Sequence, residues 1–498
     1  MGVRQFVSKF FKGPDEFNLT EGGIGKPLFY LSLPIVIQNL FQVTYNLADT
    51  FWLGRHSTAS LSAITFAFPM VFLMISLALG LSVAGSVLVA QHIGAGNDRK
   101  AEYAASQTMA YAAVASIVLG AIGFIFVDDF LVILGTGPEI SSLVADYMRV
   151  YSVGLVGVFG FAVFMALMRG YGDTITPMYV MGGSVVLNVV LDPVMIFGFQ
   201  NNPLFGYLGA TGLEASLFEL TGYTGTGVAG AAIATVFSRA LAFVVGLAIM
   251  FRGNRGVRIR LGQMIPDLSF GRKVIDIGLP ASIEGTARSL SITLLLFVLA
   301  MFPEEISAAY GIGTRIFSVI FLPALAVSQG IETITGQNIG AEKPDRAAET
   351  NHFGARAMLA VLTGLGIITI LAARPISSIF TDNPTVAAES ASFLRYTALT
   401  FGFIGVMRAY TGGFRGAGKT LFAAVISVVT LGLVRLPVAW IGAEAIGATG
   451  LWIAFPISNV IGGVIAYLWF KRGTWRETSL TGSDIGADVP GSETPSDD

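Results

Sequence analysis

Five polar side chains recur along one early apolar segment: Gln38, Gln42, Tyr45, Asn46 and Asp49. Steps of three, four and seven place them on one face of a helix. A later segment repeats the pattern with Ser184, Asn188 and Asp192, followed by Pro193. Carboxylate and amide oxygens suit a small hard cation. Two carboxylates in one low-dielectric pocket cannot easily both stay ionised without a cation or a shared proton. Pro193 leaves the carbonyl of Val189 without its helical donor and so adds a free oxygen. The chemistry expected is reversible binding of Na+ or H+. Two plainer readings compete: a structural hydrogen-bond seam along the first segment, and an aspartate held by an arginine, for which its own helix offers no candidate.

These residues sit in segments that only a membrane explains. Of 498 residues, 53% are hydrophobic and 12% are charged, about half the ~25% usual for soluble domains. Mean hydropathy is +0.71. A soluble enzyme and a disordered chain are both excluded. A net charge of −2 argues against a nucleic-acid-binding surface, and the absence of cysteine excludes disulfides and thiolate chemistry. Runs of roughly 20 apolar residues predict twelve spans. They cover 28–52, 59–84, 103–126, 140–168, 174–199, 227–251, 272–301, 307–335, 352–373, 387–413, 419–442 and 447–470. The basic segment ahead of them is too polar for a signal-peptide core. The end after Arg476 is acidic and expected to be disordered.

Most of the 30 Lys and Arg fall in the N-terminal segment and in alternate loops, against Arg55 and Arg374 in the remaining loops. This asymmetry predicts that both termini are cytoplasmic. Three segment pairs match at one offset of 246 residues: Leu33-Pro34 with Leu279-Pro280, Gln91-x-Ile93-Gly94-Ala95 with Gln337-x-Ile339-Gly340-Ala341, and Arg169-Gly170-x-Gly172-x-Thr174 with Arg415-Gly416-x-Gly418-x-Thr420. Gly227-x-x-Gly230-x-x-Ile233-Ala234 matches Gly447-x-x-Gly450-x-x-Ile453-Ala454 at 220, which places 26 extra residues in an outer loop near 200–226. Two six-span halves begin on the same side, so an axis along the membrane normal relates them. The expected fold is an all-α integral membrane protein with twelve transmembrane helices in two pseudo-symmetric six-helix bundles. Its parts are a cytoplasmic segment 1–27, an N-lobe 28–251, a linker 252–271, a C-lobe 272–470 and a tail 471–498.

Counting depth from the outer ends at 1.5 Å per residue puts Asp49 about 6 Å in, Asp192 about 10 Å and Thr235 about 12 Å. The three are expected to converge. At the repeat offsets Asp49 corresponds to Leu295, Thr235 to Phe455, and the Asn188–Asp192 segment to LGLVRLPV, which has no acid. The cation site is therefore expected in the first half alone. In the second half, Glu284 and Arg288 have i, i+4 spacing and read mainly as an internal ion pair, with a substrate or gating role as the second reading. Arg315, Arg408 and Arg435 stay unassigned, and Glu332, near a span end, reads as solvated. His56, His92 and His352 have no metal-ligand spacing. Gly413-x-x-x-x-Gly418-Lys419-Thr420 satisfies the P-loop pattern but joins two spans rather than a strand and a helix, so no ATP site is expected.

The segments LSLPIVIQNLFQVTYNLADTFWLG, VAQHIGAG, ALMRGYGDTITPM, NVVLDPVMIFG, GVAGAAIAT, GQNIGAEK and GGFRGAGKT resemble the multidrug and toxic compound extrusion (MATE) family, closest to its prokaryotic DNA-damage-inducible (DinF-like) branch. The resemblance covers about 28–470, and YNLADT and NVVLDP are its most specific parts. It implies a twelve-helix antiporter in the plasma membrane that expels organic, often cationic, compounds by alternating access against Na+ or H+. The protein would be a monomer, would need no cofactor and would not be an enzyme. Carried over residue by residue, it implies cation coupling at Asp49, Asn188, Asp192 and Thr235. If the ion is Na+, Asp49, Asn188 and Asp192 would ligate it. Gln38, Gln42, Tyr45 and Asn46 would line the substrate path. A flippase for a lipid-linked precursor is the alternative; it would want a cationic cleft and usually more spans. A membrane enzyme would need a metal or nucleophile constellation. Repeated halves with a one-sided acid site favour exchange over a channel.

Overall fold

The computed structural model describes residues 11–134, 137–476 and 480. The acidic end 481–498, for which disorder was expected, lies outside the described residues. Within them the chain folds into helices: α1 Gly25–His56, α2 Thr58–Gly94, α3 Asp98–Ile125, α4 Val127–Leu134, α5 Pro138–Val153, α6 Leu155–Tyr171, α7 Ile175–Phe197, α8 Pro203–Tyr207, α9 Thr211–Thr221 and α10 Val228–Arg252 in the first half. The second half has α11 Leu268–Leu299, α12 Glu304–Gly340, α13 Pro344–Ser378, α14 Pro384–Ala398, α15 Phe401–Gly416, α16 Thr420–Val428, a π-helical stretch Val429–Arg435, α17 Leu436–Ile446 and α18 Ala448–Lys471. Ten of these, with 420–446 counted as one, are long and apolar enough to cross a membrane.

The remaining two spans are broken helices. The α5–α6 pair bends by 56° at Gly154, which packs on Val236 with no room for a Cβ. Its repeat counterpart, α14–α15, breaks at Leu399–Thr400, at the same offset. This second pair carries Glu389, Arg395, Arg408 and Arg415, which is why composition alone does not mark it as a span. The expected spans 140–168 and 387–413 are therefore each two helices rather than one. The π-helical stretch has a local cause as well. Pro437 has no N–H to donate and crowds the preceding turn, and a wide turn just before it relieves the clash.

The 253–267 connector is bound to the first half. Gln107 Nε2 donates to the carbonyls of Gln263 and Ile265 at 2.6 and 2.7 Å. Asp267 caps α11 through Ser269 N and accepts from the Tyr103 hydroxyl at 2.8 Å. Just ahead of Arg476, Trp475 is buried and stacks on Phe470 at 4.5 Å. The outer insertion forms α8 and α9 and is anchored at the end of α7. Asn202 Nδ2 donates to the carbonyls of Pro193 and Gly198 at 2.9 and 2.7 Å.

The halves meet along glycine contacts. Gly80 on α2 lies against the backbone of Gly278 on α11. Toward the face that carries the termini, Gly94 lies on the backbone of Gln337 and Gly340 on that of Gln91. These are mates in the repeat, so the contact is two-fold in kind. Gln91 Nε2 donates to Gly416 O at 3.1 Å, and Gln337 Nε2 to Gly170 O at 3.2 Å. Beside them Thr333 Oγ1 donates to Arg169 O at 3.2 Å. The two halves are closed against each other at that face.

Candidate cation and substrate site

Helices α1, α7 and α10 bring the expected acid set together. Asn188 and Asp192 are one turn apart on α7, both fully buried, and Asn188 Nδ2 donates to Asp192 Oδ1 at 2.9 Å. Thr235 Oγ1 on α10 donates to Asp49 Oδ2 on α1 at 3.4 Å. The carboxyls of Asp49 and Asp192 act on each other within this pocket. Among the described residues, three oxygens in this pocket find no hydrogen-bond donor: Asp49 Oδ1, Asn188 Oδ1 and Asp192 Oδ2. Buried acceptors left without a donor are costly, and a cation or a proton is what would satisfy them. Ser184 ties the same faces together, donating to Ser238 O at 3.1 Å.

The four first-span candidates divide into two kinds. Gln38 Nε2 donates to Thr174 O at 2.9 Å and the Tyr45 hydroxyl to Thr235 O at 3.0 Å, so these two are buried ties between helices. Gln42 is half-buried and donates to exposed Asn46 at 3.0 Å. Gln42 also accepts from Arg239 Nη2 at 2.6 Å. Arg239, on α10, was not singled out from the sequence. It lies over the Tyr45 ring at 4.5 Å and the Phe161 ring at 5.4 Å and acts electrostatically on Asp49. It forms no ion pair within 4 Å among the described residues, so the aspartates are not simply neutralised by it. The signal was there: Arg239 follows Thr235 by one helical turn inside a span, where an ionisable residue is itself a marker of function.

The second half holds a different cluster. The expected Glu284–Arg288 pair exists at 3.6 Å, but Glu284 belongs to a network. Arg415 Nη1 donates to both Glu284 oxygens at 3.3 and 3.2 Å, and Arg408 approaches Glu284 at 3.7 Å. Glu332 is not solvated; it is buried and accepts from Arg415 Nε at 2.9 Å. Helix α12 continues past the span end expected at 335, so the carboxylate stays between helices. Arg435, on the π-helical stretch, donates to Ser458 and Asn459 at 2.8 Å each. Arg315 is exposed. Residues 413–420 form a helix–turn–helix joint in which Thr420 Oγ1 donates to Ile277 O at 2.7 Å. Of the histidines, His56 bonds Ser60, His352 bonds Tyr410, and His92 is buried.

A family model described as MatE matches residues 34–194 and 280–441. The chain is 28% identical over 461 residues to an FAD transporter of Shewanella oneidensis, covering 92% of this chain and 97% of that protein. It is 27% identical over 462 residues to the probable multidrug resistance protein NorM of Thermotoga maritima, covering 92% and 94%. The MATE transporter VcmN of Vibrio cholerae, in its bent form, shares the fold with a TM-score of 0.80 at 21% identity, over 90% of this chain and 96% of that one.

Proposed function

The chain belongs to the MatE family, as the match to both of its halves requires, and from that premise we propose that it exports small organic compounds in exchange for Na+ or H+. Members of this family are transporters, so the chain is a multi-pass membrane transporter and not an enzyme. The observation that carries the coupling is the convergence of three donorless oxygens from Asp49, Asn188 and Asp192 in one buried pocket. A cation or proton there neutralises the acid pair. It favours whichever arrangement of the halves holds that pocket most tightly, and substrate favours the other. Gln42 and Asn46 border the pocket and would meet the substrate. The lysine and arginine asymmetry supports a plasma-membrane orientation with the closed, termini-bearing face in the cytoplasm, so the cleft here would open outward.

The names of the relatives support a multidrug substrate range, with a flavin nucleotide among the possibilities. Twelve spans and full-length kinship to such transporters count against a lipid-precursor flippase. The test is ethidium efflux from proteoliposomes holding the full chain, under a Na+ gradient and a pH gradient imposed separately. One gradient should drive efflux, and Asp192→Asn should uncouple it. Flux indifferent to both gradients, or a variant that stays fully coupled, would reject the exchange mechanism.

A further inference from the structure

The interior of the second half holds more positive charge than its carboxylates balance. Arg415 lies hydrogen-bonded between Glu284 and Glu332. Arg288 and Arg408 reach Glu284 only at 3.6 and 3.7 Å, beyond hydrogen-bond distance. Three guanidinium ions thus face two carboxylates, and one positive charge is left over. Arg169 adds to the excess, interacting with both Glu332 and Arg415. The Nε atoms of Arg288 and Arg408 are buried and have no acceptor among the described residues. Uncompensated charge at membrane depth is costly and marks function, and a buried donor without an acceptor is a separate cost.

The surroundings describe what would relieve both. Arg408 and Arg288 lie over the Phe321 ring at 4.8 and 5.8 Å. Phe317, Ile320 and Ala324 line a small apolar recess beside it. The Arg408 side chain is 5% exposed, but that of Arg288 is 27% exposed, so the cluster opens at Arg288. A guanidinium fork matches the geometry of a carboxylate or phosphate, and an aromatic ring beneath it suits a flat or greasy body attached to that anion.

We propose that Arg288 and Arg408, seated on Phe321, form a binding site for the anionic group, carboxylate or phosphate, of an amphiphilic substrate. The site rests on the transporter reading and adds to it the place in the second half that holds the anionic end of such a substrate. Glu284 is then a competitor for the two guanidinium ions as well as their support. That gives the test its sign: removing the charge of Glu284 should strengthen anion binding, whereas removing an arginine should weaken it.

The experiment uses the full chain in phosphatidylcholine nanodiscs, with fluorescein as the anionic probe and ethidium as the cationic one. Arg288→Gln should weaken fluorescein binding at least tenfold and leave ethidium binding nearly unchanged. Glu284→Gln should tighten fluorescein binding several-fold, and retained ethidium binding reports that each variant is folded. Adding phosphatidylglycerol separates the sources: competition names a lipid headgroup as the occupant, and its absence names a soluble anion, either of which keeps the site. No saturable fluorescein binding by a protein that binds ethidium would overturn the site, as would equal weakening of both dyes by both variants. If that happens while ethidium efflux still follows an ion gradient, only the anion site falls and the exchange mechanism stands.

Discussion

Arg239 sets the charge balance of the acid pocket in the first half. With Asp49 and Asp192 it leaves one negative charge when both carboxyls are ionised, and the neutral side chain of Arg239→Gln would leave two. In an effective dielectric of about 20 a unit charge about 4 Å off is worth about 4 kcal/mol. Arg239 lies beyond 4 Å of either carboxylate, so its share is smaller, on the order of 2 kcal/mol. Arg239→Gln is therefore expected to raise the apparent affinity for the coupling ion by about tenfold and to slow its release, seen as a lower ion concentration for half-maximal exchange together with reduced turnover. An unchanged ion dependence would place Arg239 outside the coupling chemistry. Thr235→Val keeps the volume and removes the donor to Asp49. A hydrogen bond to a charged group is worth roughly 1.5–3 kcal/mol, and at 3.4 Å this one belongs at the low end. Exchange should weaken several-fold while Tyr45 keeps its bond, because that bond goes to the Thr235 backbone carbonyl. Asp49, Asn188 and Asp192 were legible from spacing alone, since helical periodicity and membrane depth together fix where such side chains point. The Glu284–Arg415–Glu332 network was not, because its partners lie 131 and 83 residues apart and no local pattern joins them.

At the scale of elements, the closed face depends on two glycines that are repeat mates. Gly94 presses on the backbone of Gln337 and Gly340 on that of Gln91, the repeat-mate glutamine, so neither leaves room for even a methyl group. Backbone atoms cannot rotate away as a side chain would. Gly94→Ala should therefore push the ends of α2 and α12 apart and shift the population toward states open at the termini-bearing face. The chain has no cysteine, so a single introduced one reports without background. Thr333→Cys, buried at this closure, should react slowly with a maleimide on its own and much faster when combined with Gly94→Ala. Equal rates would mean that the face stays closed. Span number and pairing were readable because apolar runs and repeat offsets are properties of the sequence. The breaks at Gly154 and at Leu399–Thr400 were not, because they arise from packing between helices, with Val236 filling the space at Gly154. Helix ends were also read short: α2 continues to Gly94, ten residues past the predicted span, since a helix need not stop where the bilayer does.

Across the whole molecule, the halves share a fold and differ in charge. The first gathers Asp49, Asp192 and Arg239, and the second gathers Arg288, Arg408 and Arg415 around Glu284 and Glu332. The repeat therefore preserves a scaffold while the charged groups in its two interiors differ, an acid pair in one and an arginine cluster in the other. The proposed exchange can proceed on such a scaffold by the halves moving against each other, and the seam between α2 and α11 offers a direct test. Thr286 Oγ1 donates to Ser76 Oγ at 3.1 Å across it, so a cysteine at each position brings two sulfurs close to bonding distance. The pair Ser76→Cys and Thr286→Cys should cross-link under mild oxidation. If the halves rock about this seam, the oxidised protein should lose substrate exchange and regain it on reduction, with ion and ethidium binding still measurable throughout because neither site includes the cross-linked residues. Full exchange in the cross-linked state would instead confine the motion to individual helices, with α1 and its Gln42–Asn46 face the element that would have to bend.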